Sequence, residues 1–366
     1  MHRAYKYRVY PDAEQEVLLR KTFGCVRVIW NTNVATFNTY DKINNPKPTF
    51  KTTTEIKGNH EWMSEVSAAA LQQKEIDFKR YKSQFFNKSR SKKIGSCSFK
   101  NKFEGQSYRL PNQKFDLGNH EIRLEKIGWV KTVMERRPNK DCKYLSVTVS
   151  RDRTGKYFVS VLVDEIVQDK APLTLRVVGI DLGLKDFVVT SDGTKISNPQ
   201  WFRKNHAPLR KAQKHLSKKK KGSNRYQKCK LKVARIHSRI ANQRLWFLHQ
   251  VSLDLVRGYD LIGLEDLDVK GMVKNREHSK SISDSGWTKF VSFLEYKAKR
   301  SDKKVVKIDR FFPSTKMCFD CRSLNHALTL RDRSRMCGVC GAEHDRDLNA
   351  ARNILREAQA QGVACA

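Results

Sequence analysis

Apolar and polar positions first alternate: residues 4–10 read as a strand, stopped by Pro11. From Asp12 the spacing lengthens to a helical one, with Val17, Leu18, Phe23, Val26, Ile29, Trp30 and Val34 on one face. Residues 44–48 read as a loop, and a second helical pattern covers about 62–86. The period then returns to two. Residues 107–110, 121–124, 129–133, 144–149 and 157–163 each predict a strand, and Asp152-Arg153-Thr154-Gly155 makes a hairpin loop between the last two. Short strands at this spacing predict a small β-barrel that the strand at 4–10 joins, with helices 12–40 and 62–86 as an insertion into it.

Residues 168–172 read as a linker to a second half. There Val177, Val178 and Ile180 predict a buried strand that runs into Asp181, with Gly179 and Gly183 permitting close approach of a backbone or ligand. Residues 187–190 complete a hairpin and stop at the turn Ser191-Asp192-Gly193. A helical stretch of about 203–257 follows, broken at 217–225 and ended by Gly258 as a C-cap. After Asp260 the apolar run 261–264 repeats the earlier pattern by running into Glu265. Residues 270–283 are polar and helix-breaking, a mobile loop by expectation; 287–298 present an apolar helical face, and 305–309 return to strand.

Charge narrows the function. Seventy-three Lys and Arg against 38 Asp and Glu leave a net charge of +35 over 366 residues. A surplus of that size repels itself unless a polyanion neutralises it, so nucleic acid is the default partner. Against a membrane surface stand the missing lipidation signal, signal peptide and spanning apolar run. The basic residues are clustered. No acid interrupts the chain between Asp77 and Glu104, where Lys82, Lys92, Lys93, Lys100 and Lys102 are interleaved with Phe85, Phe86, Phe99 and Phe103. None interrupts it between Asp192 and Asp254, where Lys218, Lys219, Lys220, Lys221 and Arg225 form a run. Both read as tracks for a phosphate backbone, with most of the rings in the core.

Nine cysteines do not make a disulfide scaffold: four cluster and five are scattered, which fits a reducing cytoplasm and one metal site. Cys318-Phe319-Asp320-Cys321 and Cys337-Gly338-Val339-Cys340 are two thiolate knuckles able to close a tetrahedron on structural zinc, with no open position for catalysis. Asp181, Glu265 and Asp347 each stand at the start or end of a core element, although Asp347 serves equally as a helix N-cap. If they converge, they suit hard divalent cations, and two such ions about 3.5–4 Å apart serve phosphodiester hydrolysis.

Together, Gly179-Ile180-Asp181-Leu182-Gly183, Gly263-Leu264-Glu265, the four cysteines and Asp345-Arg346-Asp347-Leu348-Asn349-Ala350-Ala351-Arg352-Asn353-Ile354 resemble TnpB, the transposon-encoded RNA-guided DNA endonuclease family related to type V CRISPR effectors. Phe23-Gly24-Cys25-Val26-Arg27, Ser281-Ile282-Ser283-Asp284-Ser285-Gly286-Trp287 and Phe312-Pro313-Ser314-Thr315-Lys316 extend the likeness over nearly the whole chain. The resemblance implies an α/β multi-domain protein. A wedge-like β-barrel would span 1–10 and 105–168, a helical recognition insertion 11–104, and a ribonuclease H-like (RuvC) nuclease 172–313 and 342–356. A zinc ribbon would occupy 314–341 and a flexible tail 357–366. It further implies magnesium at Asp181, Glu265 and Asp347, with Asp347 rather than Asp345 as the third acid. A noncoding guide RNA from the transposon end, double-stranded target DNA read beside a short transposon-adjacent motif, and a monomer in the cytoplasm or on the nucleoid complete the expectation. Two alternatives remain open: an RNA-guided repressor that does not cut, and a guide-free, structure-selective nuclease.

Overall fold

A computed structural model describes residues 1–40, 48–87, 94–103, 105–166, 172–274, 278–329 and 332–363. It divides into two compact units, Met1–Ile166 and Val167–Ala366.

In the first unit β1 (His2–Tyr10) leads into α1 (Ala13–Asn38), which starts on a capping box between Asp12 and Gln15. After α2 (Thr53–Gly58) and a 3-10 turn comes α3 (Ala68–Phe86). The strands β2 (Gln106–Pro111), β3 (Phe115–Leu117), β4 (Glu121–Leu124), β5 (Gly128–Val133), β6 (Lys143–Arg151) and β7 (Tyr157–Asp164) join β1 in one antiparallel sheet of order β2-β6-β7-β1-β5-β4-β3. The expected barrel is therefore a curled half-barrel: among the described residues its edge strands β2 and β3 do not pair. The reason is the core. Leu19, Phe23, Val26 and Ile29 of α1 and Ala70 and Leu71 of α3 pack with Tyr5, Leu110, Val130, Val149 and Val161, so the inserted helices fill the concave face. A smaller cluster of Val34, Phe37 and Phe78 joins α1 to α3.

The second unit opens with β8 (Val177–Asp181), β9 (Asp186–Thr190) and β10 (Lys195–Ser197) as an antiparallel meander. Helices α4 (Trp201–Lys204), α5 (His206–Ser217) and α6 (Asn224–Gly258) precede β11 (Leu261–Glu265). Gly258 is the last helical residue, not a left-handed cap; extended Tyr259 ends the helix, its N–H donating to the Leu255 carbonyl. The expected loop after β11 instead holds α7 (Val269–Lys274) and α8 (Ser279–Ser285), because Ile282 and Ser285 are buried. Helix α9 (Trp287–Arg300) buries Trp287, Phe290, Leu294 and Ala298, and β12 (Lys304–Ile308) follows. Strands β8, β11 and β12 run parallel, giving the order β10-β9-β8-β11-β12 of the ribonuclease H-like topology. A two-stranded ribbon, β13 (Ser334–Met336) with β14 (Glu343–Asp345), reaches past the boundary expected at 341. Helix α10 (Arg346–Val363) closes the unit. It continues through residues expected to form a flexible tail, since Ala358 is fully buried against Ile308 and Ile354. The expected linker at 168–171 and most of the loop at 44–48 lie outside the described residues.

Candidate active site and metal centre

The site is built by a helix lying unusually close to a sheet. A Cβ on Gly179 would sit 2.1 Å from the Ala351 carbonyl oxygen and 2.5 Å from the Leu355 nitrogen. A Cβ on Gly263 would sit 2.6 Å from the Ala358 Cβ. Only glycine lets the α10 backbone rest directly on β8 and β11. From Ala351 back to Asp347 the helix rises about 6 Å, the distance covered by β8 between Gly179 and Asp181. Asp347 therefore enters at the end of the sheet where β8 and β11 terminate. On the sheet, Leu264 pairs in parallel register with Ile180, which makes Asp181 and Glu265 neighbours on strands about 4.8 Å apart.

Their charges interact. Burial pushes the Asp181 carboxyl up to about 7; Glu265 adds the next push and Asp347 a further one, opposed by Arg346. The other two carboxylates have partners. Glu265 accepts a hydrogen bond from the Ser314 hydroxyl. Asp347 accepts from Arg346 Nε at 2.9 Å and Nη2 at 2.7 Å, with Arg333 Nη1 at 3.3 Å. Asp345 does the capping instead, accepting from the Asp347 and Leu348 backbone N–H groups, and pairs with Lys195 at 2.7 Å. Among the described residues, only the ribbon brings three candidate ligand atoms all within 4.8 Å of one another; the three acids do not reach that spacing. What the acids present is concentrated negative charge around a carboxylate that burial and its neighbours discourage from ionising. A hard cation relieves that condition, so the donor set fits one.

The four cysteines are free thiols gathered within 4.8 Å. Cys318 and Cys340 sulfurs are 3.7 Å apart, and Cys321 and Cys337 sulfurs 3.5 Å apart. Zn–S bonds of about 2.3 Å give a tetrahedron with edges of about 3.8 Å, so the set fits zinc. Buried His344 was not foreseen as a neighbour: its Nε2 stands 3.1 Å from the Cys318 sulfur and 3.6 Å from Asp320. A histidine four residues after the last cysteine was the only available signal.

The expected nucleic-acid residues are placed unevenly. Lys218, Lys220, Lys221 and Arg225 are exposed where α5 passes to α6, and Lys219 is half-buried. In the first unit Lys82 lies over Phe50 (4.7 Å to the ring centroid), Lys100 over Trp30 (4.2 Å) and Lys102 over Phe103 (5.3 Å). Most of the four rings were expected in the core, yet Phe86, Phe99 and Phe103 are exposed; the segment of the last two passes over α1, where Asn31 and Trp30 bond the Lys100 and Ser98 carbonyls. Lys92 and Lys93 lie outside the described residues.

Family comparisons agree with this architecture. Residues 158–276 match a transposase family model described as "Probable transposase" (OrfB of IS605), and 287–354 match a Cas12f1-like TNB domain. Residues 1–40 match a model described as a helix-turn-helix domain, although here they form β1 and the single long helix α1. A candidate RNA-guided DNA endonuclease of Streptomyces pristinaespiralis is 39% identical over 361 residues, covering 96% of this chain and 88% of the relative. The candidate RNA-guided DNA endonuclease InsQ of Escherichia coli K12 is 29% identical, covering 96% of this chain and 91% of InsQ. In fold, the chain is similar to Cas12f1 in its complex with single-guide RNA and target DNA, with a TM-score of 0.54 at 14% identity, covering 97% of this chain and 98% of that one. The molecule is thus a mixed α/β protein with a half-barrel sheet and a four-cysteine ribbon, of Cas12f1-like fold. The chain belongs to the TnpB family.

Proposed function

We propose that this chain is an RNA-guided DNA endonuclease in which Asp181, Glu265 and Asp347 hold two divalent cations, magnesium by preference. The observation that carries this reading is that Asp181 and Glu265 end neighbouring parallel strands and that the charges of Glu265 and Asp347 both raise the Asp181 carboxyl. Bound there, the cations would supply a nucleophile from water and stabilise the departing 3′-oxygen. The chain's own part is positional. Strands β8 and β11 set Asp181 and Glu265 side by side, and α10 delivers Asp347 over the two glycines. Arg346 and Arg333 keep the Asp347 carboxylate from drifting toward its neighbours.

The rest of the molecule serves recognition. A noncoding guide RNA from the transposon end would neutralise much of the +35 charge, with Lys82, Lys100, Lys102, Lys218, Lys219, Lys220, Lys221 and Arg225 as candidate phosphate contacts. The half-barrel with its inserted helices would read a short transposon-adjacent motif, and base pairing with the guide would select the target. The ribbon would hold structural zinc. No described helix is long and apolar enough to cross a membrane. The chain would work as a nucleic-acid-bound monomer in the cytoplasm or on the nucleoid.

The test is to purify the chain from its host context, sequence the RNA that accompanies it, and offer the complex a plasmid matching that RNA, with magnesium. The expected result is a discrete transcript and a cut plasmid, with cleavage lost in Asp181→Ala, Glu265→Ala and Asp347→Ala while RNA binding stays. Target binding without cleavage would point to a guided repressor. Cleavage of branched DNA without any transcript would point to a guide-free nuclease.

A further inference from the structure

Between β12 and the ribbon the chain crosses the end of the sheet, and this crossing is tied down at both sides of Ser314. On one side Arg310 pairs with Asp266, the residue after Glu265, at 2.5 Å, and its Nε donates to the Asp266 carbonyl at 3.1 Å. On the other, Asn349 and Asn353, one turn apart on α10 and each 1% exposed, reach the same stretch of backbone. Asn353 Nδ2 donates to the carbonyls of Ser314 and Met317, both at 2.8 Å, and Asn349 Nδ2 donates to Met317 at 2.7 Å. Asn349 Oδ1 accepts from the Phe319 N–H at 3.0 Å, inside the first knuckle. Held this way, Ser314 is 2% exposed, and its hydroxyl meets one oxygen of Glu265.

We infer that Ser314 is a positioning residue for Glu265, and that Asn353 fixes it from the helix that carries Asp347. A carboxylate on a free side chain can turn either oxygen, or neither, toward a cation. One that gives an oxygen to a fixed hydroxyl presents the other in a single direction. Because the fixing groups sit on α10, the orientation of Glu265 is referenced to Asp347, and the root of the ribbon is clamped by the same two asparagines. Buried hydrogen bonds of this kind orient ligands, and their loss commonly costs about 10-fold or more in metal affinity or activity.

This inference rests on the proposed carboxylate site, and one experiment separates the two. The full-length chain is titrated with ferrous iron in the presence of ascorbate, and backbone scission beside residues 181 and 265 is read by mass spectrometry. Cleavage of guide-matched plasmid against magnesium concentration is the second readout. Ser314→Ala is expected to need about 10-fold more of either metal for half-maximal effect. Ser314→Thr, which keeps the hydroxyl, should behave as wild type, and Asn353→Ala should move in the same direction as Ser314→Ala. Zinc content and melting of each variant, matched to wild type, exclude misfolding as the cause. If Asp181→Ala abolishes scission but Ser314→Ala leaves the iron requirement unchanged, the positioning role is wrong and the carboxylate site stands. No scission beside these residues in the wild-type chain would remove both.

Discussion

At the scale of single residues, Asp181 and Gly179 depend on each other. The aspartate comes under the charge of Asp347 only because the glycine two positions earlier lets α10 settle on the strand. Gly179→Ala would place a methyl 2.1 Å from the Ala351 carbonyl, an overlap that the helix relieves only by moving off β8. We expect a loss of about 3 kcal/mol, read as a fall of roughly 10 °C in the melting temperature of a unit this size, together with loss of cleavage. Gly58, at the end of α2, is the control: nothing lies within 4 Å of its added methyl, and its φ is not positive. Gly58→Ala should be neutral or stabilising by about 0.5 kcal/mol. Equal effects at the two positions would end the close-approach argument. Asp192 is one source of acid sensitivity. Burial pushes its carboxyl upward, but hydrogen bonds from Thr190, Tyr259 and Thr194 outweigh that and hold it at about 2. A depressed carboxyl stabilises the fold above its unfolded value of about 4 and loses that contribution as pH falls toward 2. Its side chain is 38% exposed, so the contribution is discounted to about 1 kcal/mol. In urea melts, Asp192→Asn should be less stable than wild type at pH 6 by that amount, with the gap closing toward pH 2.5. A gap independent of pH would mean that the aspartate acts through shape alone.

At the scale of elements, legibility followed the strength of the local signal. Strand β6 alternates apolar and polar positions from Leu145 to Ser150, β7 sets Tyr157, Val159, Val161 and Val163 at every second position, and α9 repeats its apolar positions at helical spacing; these patterns survive folding because each element has a buried face. The carboxylate at the end of β8 and its echo at the end of β11 were legible for the same reason. A buried strand is apolar without interruption until it reaches a site. Short elements left too little pattern. Strand β3 has three residues, and α7 and α8 have six and seven, within a stretch so polar that only Ile282 and Ser285 betray burial. Helix α2 did carry a signal, the capping box between Thr52 and Glu55, but it follows a loop and has no long apolar face behind it. The half-barrel was hidden for another reason. Whether a curled sheet closes depends on what fills it, and that is decided by α1 and α3 reaching β2 from far along the chain. The partners of the three acids belong to this second kind. Ser314 is 49 residues from Glu265, and no local pattern announces their hydrogen bond.

At the scale of the whole molecule, charge is what the fold does not resolve by itself. Its 38 acids leave 35 of the 73 lysines and arginines without a counter-charge even if every acid found a partner. The imbalance is concentrated where α5 passes to α6, in a stretch without a single acid. Mutual repulsion across such a surface disfavours the compact state at low ionic strength, and a bound polyanion reverses the penalty. The proposed guide RNA should therefore also act as a folding ligand. At 100 times its dissociation constant it would add about 2.7 kcal/mol, raising the melting temperature of the purified chain by several degrees. The signature that separates this from a general effect of ions lies in its salt dependence. Added salt should raise the melting temperature of the chain alone by screening repulsion. It should shrink the increment due to RNA, because each neutralised phosphate contributes through released counterions. Replacing Lys218, Lys219, Lys220 and Lys221 with glutamine should flatten both trends. An RNA increment that stays constant between 50 and about 300 mM salt would show that the basic surface is not where the polyanion binds.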